Sequence, residues 1–407
     1  MEPGRMACPG HFLEVPLLGN CPSAPSGGWR KPLPPKARCD WHTATAALAP
    51  VLEARRRQAL RHLRRCAVAE ERAEPQCAAR GSACGKIWAV RRRSLEVLRK
   101  AVEAQHVANS YDWARPSWQN YADNTGSATC RVANGRSEID WDYHGIYTES
   151  RCDMQDAMVA AMIEEAEARE ARGTPKSATS SPCAVFSAGA IGVGKSYTVG
   201  WLADQGLMPS LISSVYIDPD IIARGMPEWQ GYQDHLGHGP NGHEMCLKEA
   251  GLISELALWA SLEKGLSVCV DSSLRDGAWH RQLFQKICEQ RPQYRLTLLH
   301  VDVAEAEVVP VLLRRAEARA AQSGRKVPEE AIRRSAAVVP SSVAEVCDVV
   351  DLYVRVHNGG VKEGSEPYIA GLCARDEDSA RLFSDSAEDQ QAASARLADF
   401  LWRPVRR

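Results

Sequence analysis

Apolar residues in the second half of the chain fall into short runs that are separated by segments with helical spacing. The runs are rich in β-branched and aromatic residues, and they cover residues 183–188, 214–218, 266–271, 294–301 and 351–357. Runs of this length that alternate with helical segments are typical of a mostly parallel sheet with helices on both faces. The pattern therefore predicts an α/β fold with a doubly wound, five-stranded sheet.

The first half of the chain has a different pattern. Residues 1–42 are rich in proline and glycine, and we predict disorder there because they cannot bury enough apolar surface to offset the entropy of ordering. Two stretches with helical periodicity follow, at 43–73 and 86–108, and their interspersed arginines predict a basic helical hairpin. Residues 109–150 resemble irregular structure rich in Trp and Tyr, which we expect to pack against a neighbouring domain.

The remaining segments complete the predicted organisation. A helix is predicted from residue 151 to about 171, and a polar linker follows it and ends at residue 182. After residue 372 the chain is acidic with helical spacing, which predicts a peripheral helical tail. The predicted units are a disordered segment, a basic and aromatic extension, an α/β domain and a tail, with bounds of 1–42, 43–150, 151–372 and 373–407.

Charge is distributed unevenly, although the formal net charge of the whole chain is only −1. Residues 1–110 hold 19 Lys and Arg against 9 Asp and Glu, whereas the rest of the chain holds 31 against 42. This asymmetry is typical of a basic segment joined to an acidic body. A near-neutral chain does not favour nucleic acid as a partner. The basic helices leave two alternatives open: a surface for RNA, a membrane or a protein partner, or a solvated cap packed on the α/β domain.

The cysteine spacing and the hydropathy of the chain indicate in which cellular compartment the protein is expected. The 14 cysteines are scattered without a CxxC pair, and the spacing of Cys77 and Cys84 fits no common zinc site. No stretch of about 18 apolar residues could span a bilayer, and the amino terminus lacks the apolar core of a secretory signal. We therefore expect reduced cysteines and a cytoplasmic location, with an organelle address left open by the proline-rich start.

Residues 189–196 read Gly-Ala-Ile-Gly-Val-Gly-Lys-Ser, which matches the P-loop pattern G-x-x-x-x-G-K-[ST]. A predicted strand precedes the motif and a helical run follows it, as the pattern requires. The glycines let backbone N–H groups point at phosphate oxygens, and the helix adds its positive amino-terminal end. Lys195 is predicted to bind the β- and γ-phosphates of ATP, and the Ser196 hydroxyl to bind Mg²⁺. The residues predicted to contact the nucleotide are Gly189, Ala190, Ile191, Gly192, Val193, Gly194, Lys195, Ser196 and Tyr197. The sequence thus predicts a P-loop NTPase-type fold.

Carboxylates follow the second and third predicted strands. Asp218 and Asp220 come at the end of the second strand, and Asp271 ends the third. Because the carboxyl ends of parallel strands share one edge of the sheet, these side chains are expected beside the P-loop. There Asp220 could accept the proton of an attacking hydroxyl, and Asp271 could help to hold Mg²⁺. Asp218 is predicted to accept hydrogen bonds from loop amides.

Arginines cluster after the fourth predicted strand. They are Arg314, Arg315, Arg319 and Arg325. Arginines in this position can close over a triphosphate and neutralise the charge that develops on a transferred phosphoryl group.

Five blocks in order resemble the zeta toxin family of P-loop kinases over about residues 150–357. They are GAIGVGKS, YIDPD, the helix around Glu255, VDSSLRD, and the arginine stretch that ends in RKVP. Only the first block is specific by itself; the order and spacing together support the resemblance. It implies an ATP-dependent kinase that transfers the γ-phosphoryl group to a hydroxyl of a small molecule. Bacterial members of the family phosphorylate the 3′-hydroxyl of UDP-N-acetylglucosamine.

The resemblance also implies roles for individual residues. Lys195 and Asp220 would be catalytic, with Asp220 as the base, and Arg315 or Arg319 would act with Arg325 on the transferred phosphate. Substrate contacts would come from Glu255, Ser273 and Arg275. Mg²⁺ would be held by Ser196 and Asp271.

The chain departs from the family pattern on the side of the acceptor substrate. Asp271 and Ser273 replace the usual glutamate and threonine, Ala223 stands where an arginine is expected, and Met226 replaces the histidine of a His-Pro pair. A nucleotide sugar is therefore only one of several small molecules that are candidates for the phosphoryl acceptor. The amino-terminal 150 residues have no counterpart in the toxins.

Two other functions remain to be weighed against the kinase. One is a regulatory module that binds ATP with weak or no phosphotransfer and engages a partner through its basic helices. The other is a motor ATPase, which is disfavoured because the catalytic region is short and its arginines lie in the same domain.

Histidines outside these motifs receive simpler interpretations. His235, His238 and His243 lie in a glycine-rich stretch that predicts a mobile lid over the substrate rather than a zinc site. His144, in the group Asp142-Tyr143-His144, is predicted to pack rather than to catalyse.

Overall fold

The structure is a computed structural model, and it describes most of the chain after residue 84. The described ranges are 85–123, 135–172, 181–208, 210–236, 240–303, 308–323, 327–359, 366–375 and 381–402. The predicted disordered segment 1–42 and the first predicted helix, 43–73, lie outside them.

The described residues form one seven-stranded sheet. Its strands are β1 (Cys183–Ala188), β2 (Val215–Ile217), β3 (Val268–Val270), β4 (Arg295–Asp302), β5 (Leu352–His357), β6 (Tyr368–Ala374) and β7 (Arg381–Leu382). Their order across the sheet is β2-β3-β1-β4-β5-β6-β7. Strands β1 to β5 pair in parallel, and β6 and β7 are antiparallel additions at one edge. The P-loop strand β1 therefore lies inside the sheet, with β3 and β4 as its neighbours.

The five strands predicted from the sequence are confirmed, but the count of five is wrong. Strand β6 covers the sequence YIAGLCA, and the predicted tail boundary at residue 372 falls inside it. The prediction missed β6 and β7 because the next described element after β6 is another strand instead of a helix, and β7 has only two residues. In the described part of the tail, a helix covers Ala387–Trp402 and packs on β6.

Helices connect and cover the strands. They are α1 (Gly85–Ala101), α2 (Ser117–Asn120), α3 (Trp141–His144), α4 (Glu149–Arg172), α5 (Lys195–Asp204), α6 (Ser210–Ser213), α7 (Pro219–Gly225), α8 (Trp229–Leu236), α9 (Pro240–Glu263), α10 (Gly277–Gln290), α11 (Val308–Ser323), α12 (Glu329–Val346) and α13 (Ala387–Trp402). The predicted helices at 86–108 and 151–171 are present as α1 and α4. A 3₁₀ turn covers Arg136–Glu138.

Helix α1 packs on the α/β body against α4, α5 and α7. Its apolar side chains Leu95, Leu98 and Val102 recur at helical spacing and are buried. Gly225 of α7 lets the two helices approach closely, because a Cβ there would lie 2.9 Å from Leu98 Cβ. This part of the basic extension is therefore a helix packed on the body, as one of the two alternatives predicted.

The aromatic segment packs as expected. Tyr111 and Tyr147 are buried, and the Tyr111 hydroxyl lies 2.6 Å from that of Tyr232 on α8. The Trp113 ring stacks on His235 with a centroid distance of 4.5 Å. Aromatic rings with a polar handle bury large apolar areas and still satisfy their hydroxyls, which explains their frequency in an irregular segment.

A buried ionic cluster joins this segment to the body. Arg151 on α4 donates to Glu228 at 2.7 and 3.0 Å, and to Glu249 on α9 at 2.6 and 3.0 Å. All three side chains are at least 96% buried. The Tyr121 hydroxyl also donates to Glu228 Oε1 at 2.7 Å, and Gln155 Nε2 donates to Glu249 Oε1 at 2.9 Å. Buried charges are tolerated only when they are paired and fully hydrogen-bonded, so this cluster fixes α4 to α9.

The described cysteines only partly follow the prediction. Free thiols are present at Cys183, Cys246, Cys269, Cys288, Cys347 and Cys373. Cys152 is disulfide-bonded, so the expectation that all cysteines are reduced is wrong. Within the described ranges, the helices are too short or too polar for any of them to cross a bilayer.

Candidate active site

The P-loop connects the end of β1 to the start of α5, as the sequence predicts. Gly189, Gly192 and Gly194 all adopt positive φ angles, of 153°, 86° and 92°. A Cβ at Gly189 would lie 2.6 Å from the carbonyl oxygen of Val301, and one at Gly194 would overlap Asn358 Nδ2. Glycine is required at these positions both for the backbone conformation and for the space.

Lys195 and Ser196 begin helix α5, where the positive end of the helix adds to the charge of the lysine. Lys195 Nζ donates to the carbonyl oxygen of Gly189 at 3.1 Å, so its side chain folds back across the loop. Ser196 Oγ donates to Asp271 Oδ2 at 2.9 Å. The sequence prediction that Ser196 and Asp271 act together is consistent with this contact.

Asp271 follows β3, and its carboxylate accepts several hydrogen bonds. Its Oδ1 accepts from Ser187 Oγ at 3.2 Å, and its Oδ2 accepts from the Tyr216 hydroxyl at 3.1 Å. Burial would raise the pKa of Asp271, but the positive charges of Arg91 and Lys195 more than offset it, and the pKa is lowered. The carboxyl group is therefore ionised at neutral pH. A carboxylate and a serine hydroxyl are hard oxygen donors, and they fit Mg²⁺.

Arg91 is the site residue that the sequence analysis missed. It belongs to α1, and its guanidinium reaches between the P-loop and the carboxylates. Its contacts are NH1 to Ser196 Oγ at 2.6 Å, NH1 to Tyr216 OH at 2.8 Å, NH1 to Asp271 Oδ2 at 3.0 Å and NH2 to Asp218 Oδ2 at 2.7 Å. The side chain is only 11% exposed.

A signal for Arg91 was present in the sequence. It stands four residues before Leu95 and seven before Leu98, so it continues the buried stripe of the helix. Its neighbours Arg92 and Arg93 lie on the exposed side. An arginine on the same helix face as buried residues needs a buried partner. The helical spacing alone therefore distinguishes Arg91 from the exposed basic residues of α1.

The two carboxylates after β2 have different environments. Asp218 is buried and caps α7, accepting from the backbone N–H of Asp220 at 2.9 Å and of Ile221 at 3.3 Å. This confirms its predicted role as an acceptor for loop amides. Burial raises the pKa of Asp218 to about 6, against the lowering effect of Arg91.

Asp220 lies in the first turn of α7 and is about one-third exposed. Its Oδ1 lies 3.0 Å from His243 Nε2 on α9. Strands β1 and β2 are both parallel to β3, so their carboxyl ends point to the same edge of the sheet. One guanidinium, that of Arg91, contacts both Asp218 and the P-loop residue Ser196, which shows how close the two strand ends are.

The predicted acceptor-side residues fall into two places. Glu255 Oε1 on α9 lies 2.8 Å from His144 Nε2, and His144 is 2% exposed. His144 therefore packs, as predicted, and also contacts a predicted substrate residue, whereas Asp142 and Tyr143 are exposed. Nδ1 of His144 has no hydrogen-bond partner among the described residues.

The turn after β3 carries the other two predicted acceptor-side residues. Arg275 is exposed, and its Nε donates to Ser273 Oγ at 3.0 Å. Between them Leu274 is buried with a positive φ of 52°, a strained conformation for a branched residue. This turn directs Ser272 inward, where its Oγ lies 3.1 Å from His280 Nε2.

Of the predicted arginines, Arg315 contacts the P-loop. Its NH1 donates to the carbonyl oxygen of Val193 in the P-loop at 3.1 Å, and its NH2 donates to that of Asn358 at 2.9 Å. Arg314 on the same helix is exposed. The Arg319 side chain and Arg325 lie outside the described part of the chain.

The histidines predicted as a lid do not lie in one loop. His235 is in α8 and His243 in α9, where His243 is buried beside Asp220. His238 lies outside the described residues. Among the residues the structure describes, no three His, Cys, Asp or Glu side chains gather to hold a metal.

Comparison with known proteins places the chain in a family. The model of the zeta toxin family matches residues 166–369, half of the chain. Among solved structures, the chain is similar to one from the PezAT chromosomal toxin–antitoxin system of the human pathogen Streptococcus pneumoniae, at 15% identity and a TM-score of 0.40 over 63% of this chain and 97% of that one. It is also similar to a chain of the AvrRxo1-ORF1:AvrRxo1-ORF2 complex with sulphate ions, at 13% identity and a TM-score of 0.43 over 69% and 82%. A structure of the same complex with ATP is similar at 12% identity and a TM-score of 0.40, over 64% of this chain and 75% of that one. The search of curated proteins found no match.

A family match over half of the chain agrees with the order of the five sequence blocks and with the P-loop geometry. The chain belongs to the zeta toxin family of P-loop kinase-like proteins.

Proposed function

We propose that the chain is an ATP-dependent kinase that transfers the γ-phosphoryl group to a hydroxyl of a small molecule. The observation that supports this best is the shared edge of the sheet. A P-loop with Lys195 lies there beside two carboxylates with different environments, the ionised Asp271 and the partly exposed Asp220. One carboxylate suits a metal ion and the other suits a proton acceptor.

The nucleotide would bind through the P-loop. Its backbone N–H groups and Lys195 would hold the β- and γ-phosphates of ATP. Ser196 and Asp271 would hold Mg²⁺, which supplies positive charge to the phosphate oxygens when bound. Arg315 contacts the P-loop carbonyl of Val193, so a small movement would bring its guanidinium to the phosphates, with Arg319 and Arg325 as the further candidates.

Asp220 would act as the base. Its Oδ1 lies 3.0 Å from His243 Nε2, and the side chain is about one-third exposed, so an acceptor hydroxyl could reach the carboxylate. Phosphoryl transfer needs little covalent chemistry from the protein, so most of the acceleration would come from positioning and charge stabilisation. Glu255, held by His144, and the pair Ser273 and Arg275 would contact the acceptor.

The acceptor is proposed only as a class. A nucleotide sugar is the first candidate, and nucleosides and sugar alcohols are the others, since Asp271 and Ser273 differ from the family pattern. A protein partner for the basic residues before 85 and a cytoplasmic location stay predictions.

The test is a panel of acceptors incubated with the full-length chain, Mg²⁺ and γ-labelled ATP. We expect at least one acceptor to take up label much faster than water does, and Lys195→Met to abolish the transfer. Lys100→Ala, on the exposed side of α1, is the control and should keep full activity. If every acceptor took up label no faster than in the Lys195→Met variant, the chain would instead be an ATP-binding regulatory module.

A further inference from the structure

We propose that Arg91 blocks the magnesium ligands Ser196 and Asp271 and must leave them before a magnesium nucleotide can bind. This inference rests on the proposed function, because it concerns the same phosphate site. It makes α1, which lies before the residues 166–369 that match the family, a part of that site that restrains it.

The geometry carries the first step. NH1 of Arg91 lies 2.6 Å from Ser196 Oγ and 3.0 Å from Asp271 Oδ2, and those two oxygens are 2.9 Å apart. Asp271 Oδ2 also accepts from the Tyr216 hydroxyl, so its acceptor positions are already filled. Mg²⁺ binds its oxygen ligands at about 2.1 Å and would have to replace the NH1 contacts to bind both oxygens. The guanidinium and the ion therefore exclude each other.

Charge carries the second step. The side chains of Asp218 and Asp271 are only 5% and 10% exposed, and Arg91 contacts both of them, so it is their shared positive partner. Removing it leaves two buried carboxylates in need of a cation. A divalent ion would meet that need better than the protein's own single charge, but in the wild type it must first displace charge-assisted hydrogen bonds.

Packing decides what moves. Leu95, Leu98 and Val102 anchor α1 in the core, and Leu98 is completely buried. Displacing the helix would expose all three side chains, whereas a rotamer change of Arg91 exposes none. The side chain therefore swings out while the helix stays docked, and it keeps a route to Asp218, which the metal site does not include.

The experiment compares binding of Mg²⁺ with AMP-PNP to the full-length wild type, Arg91→Gln and Arg91→Ala by calorimetry, and repeats each titration in EDTA. Arg91→Gln removes the charge but keeps a polar side chain with N–H donors, so it guards against misfolding of the alanine variant. We expect both variants to bind the magnesium nucleotide at least tenfold more tightly than the wild type, and the gain to disappear in EDTA. Lys100→Ala should bind as the wild type does.

Amide hydrogen exchange separates the two kinds of movement. In the wild type, exchange of residues 90–102 should change less than twofold when the magnesium nucleotide binds. Faster exchange there would contradict the side-chain movement and show that the whole helix leaves.

The remaining outcomes are also decisive. Equal or weaker binding by the Arg91 variants would overturn this inference and make Arg91 a nucleotide-binding residue or a structural one. Failure of every variant to bind the nucleotide would overturn the proposed function together with the inference.

Discussion

His243 Nε2 lies 3.0 Å from Asp220 Oδ1, and the histidine comes from a different helix than the aspartate. A carboxylate can only accept, so the histidine must carry a proton on Nε2 and donate it to this contact. The bond fixes the orientation of the Asp220 carboxylate, which is about one-third exposed. His243 is therefore placed to position the proposed base.

Loss of this contact should lower turnover without affecting nucleotide binding. We expect His243→Ala to reduce kcat for phosphotransfer about tenfold, which corresponds to about 1.4 kcal/mol of transition-state stabilisation. His243→Gln, which retains a donor, should recover part of the loss. Steady-state kinetics with a parallel measurement of ATP affinity checks this. His235→Ala, in the neighbouring helix, should leave kcat unchanged, and an equal effect of both alanine variants would argue against the positioning role.

Two glycines with positive φ provide a matched test of the P-loop geometry. Gly206→Ala meets open space and should cost only the backbone strain, about 1 kcal/mol of unfolding free energy. Gly194→Ala adds an overlap with Asn358, whose Nδ2 donates to the carbonyl oxygen of Val193 at 2.7 Å. Losing that bond as well should bring the total to about 2–3 kcal/mol. Denaturant unfolding measures both values, and equal costs would contradict the described loop.

The buried ionic cluster should be far more sensitive than a surface pair. Arg151→Met leaves Glu228 and Glu249 without their shared cation, and we expect a loss of about 3–5 kcal/mol in unfolding free energy. Arg333→Met removes an exposed pair with Glu329 on α12 and should cost less than about 0.5 kcal/mol. Chemical denaturation of both variants decides the question; a loss below 1 kcal/mol for Arg151→Met would mean that the cluster is not buried as described.

His300 should make the protein less stable in acid. Burial lowers the pKa of His300 to about 4, with Arg355 and His357 adding to the effect and Asp302 opposing it. Between pH 6.5 and 4 the unfolded chain binds a proton at this residue that the folded chain does not. Its contribution is therefore complete above pH 6.5 and is lost as the pH falls to 4, by about 3 kcal/mol.

Replacement of this histidine gives the check. His300→Gln cannot take up the proton, so its unfolding free energy should fall less than that of the wild type between pH 7 and pH 4. The exposed His106→Gln should follow the wild-type curve. Identical acid profiles for His300→Gln and the wild type would show that His300 is not the residue responsible.

The sequence could predict features that depend on residues close together in the chain. The five parallel strands are visible because each is a compact apolar run, and the P-loop because its residues are contiguous. The pairing of His144 with Glu255 joins residues that are 111 positions apart. Local periodicity does not encode such pairs.

The contacts of Arg91 could not be predicted from the sequence, although its burial could. Its partners Ser196 and Asp271 are more than 100 residues away, so no motif names them. Its place in the buried stripe of α1 was nevertheless readable, since Leu95 and Leu98 follow it at helical spacing. The identity of the contacts came only from the packing of α1 on the P-loop helix.

The central claim is that Asp220 is the base of a kinase whose nucleotide site is independent of it. Phosphotransfer rate and ATP affinity measured on Asp220→Asn, a change that retains the contact with His243, test it most directly. The account predicts a loss of at least a hundredfold in transfer with an affinity within threefold of the wild type, while Asp234→Asn on α8 changes neither. Transfer at the wild-type rate by Asp220→Asn would contradict the claim.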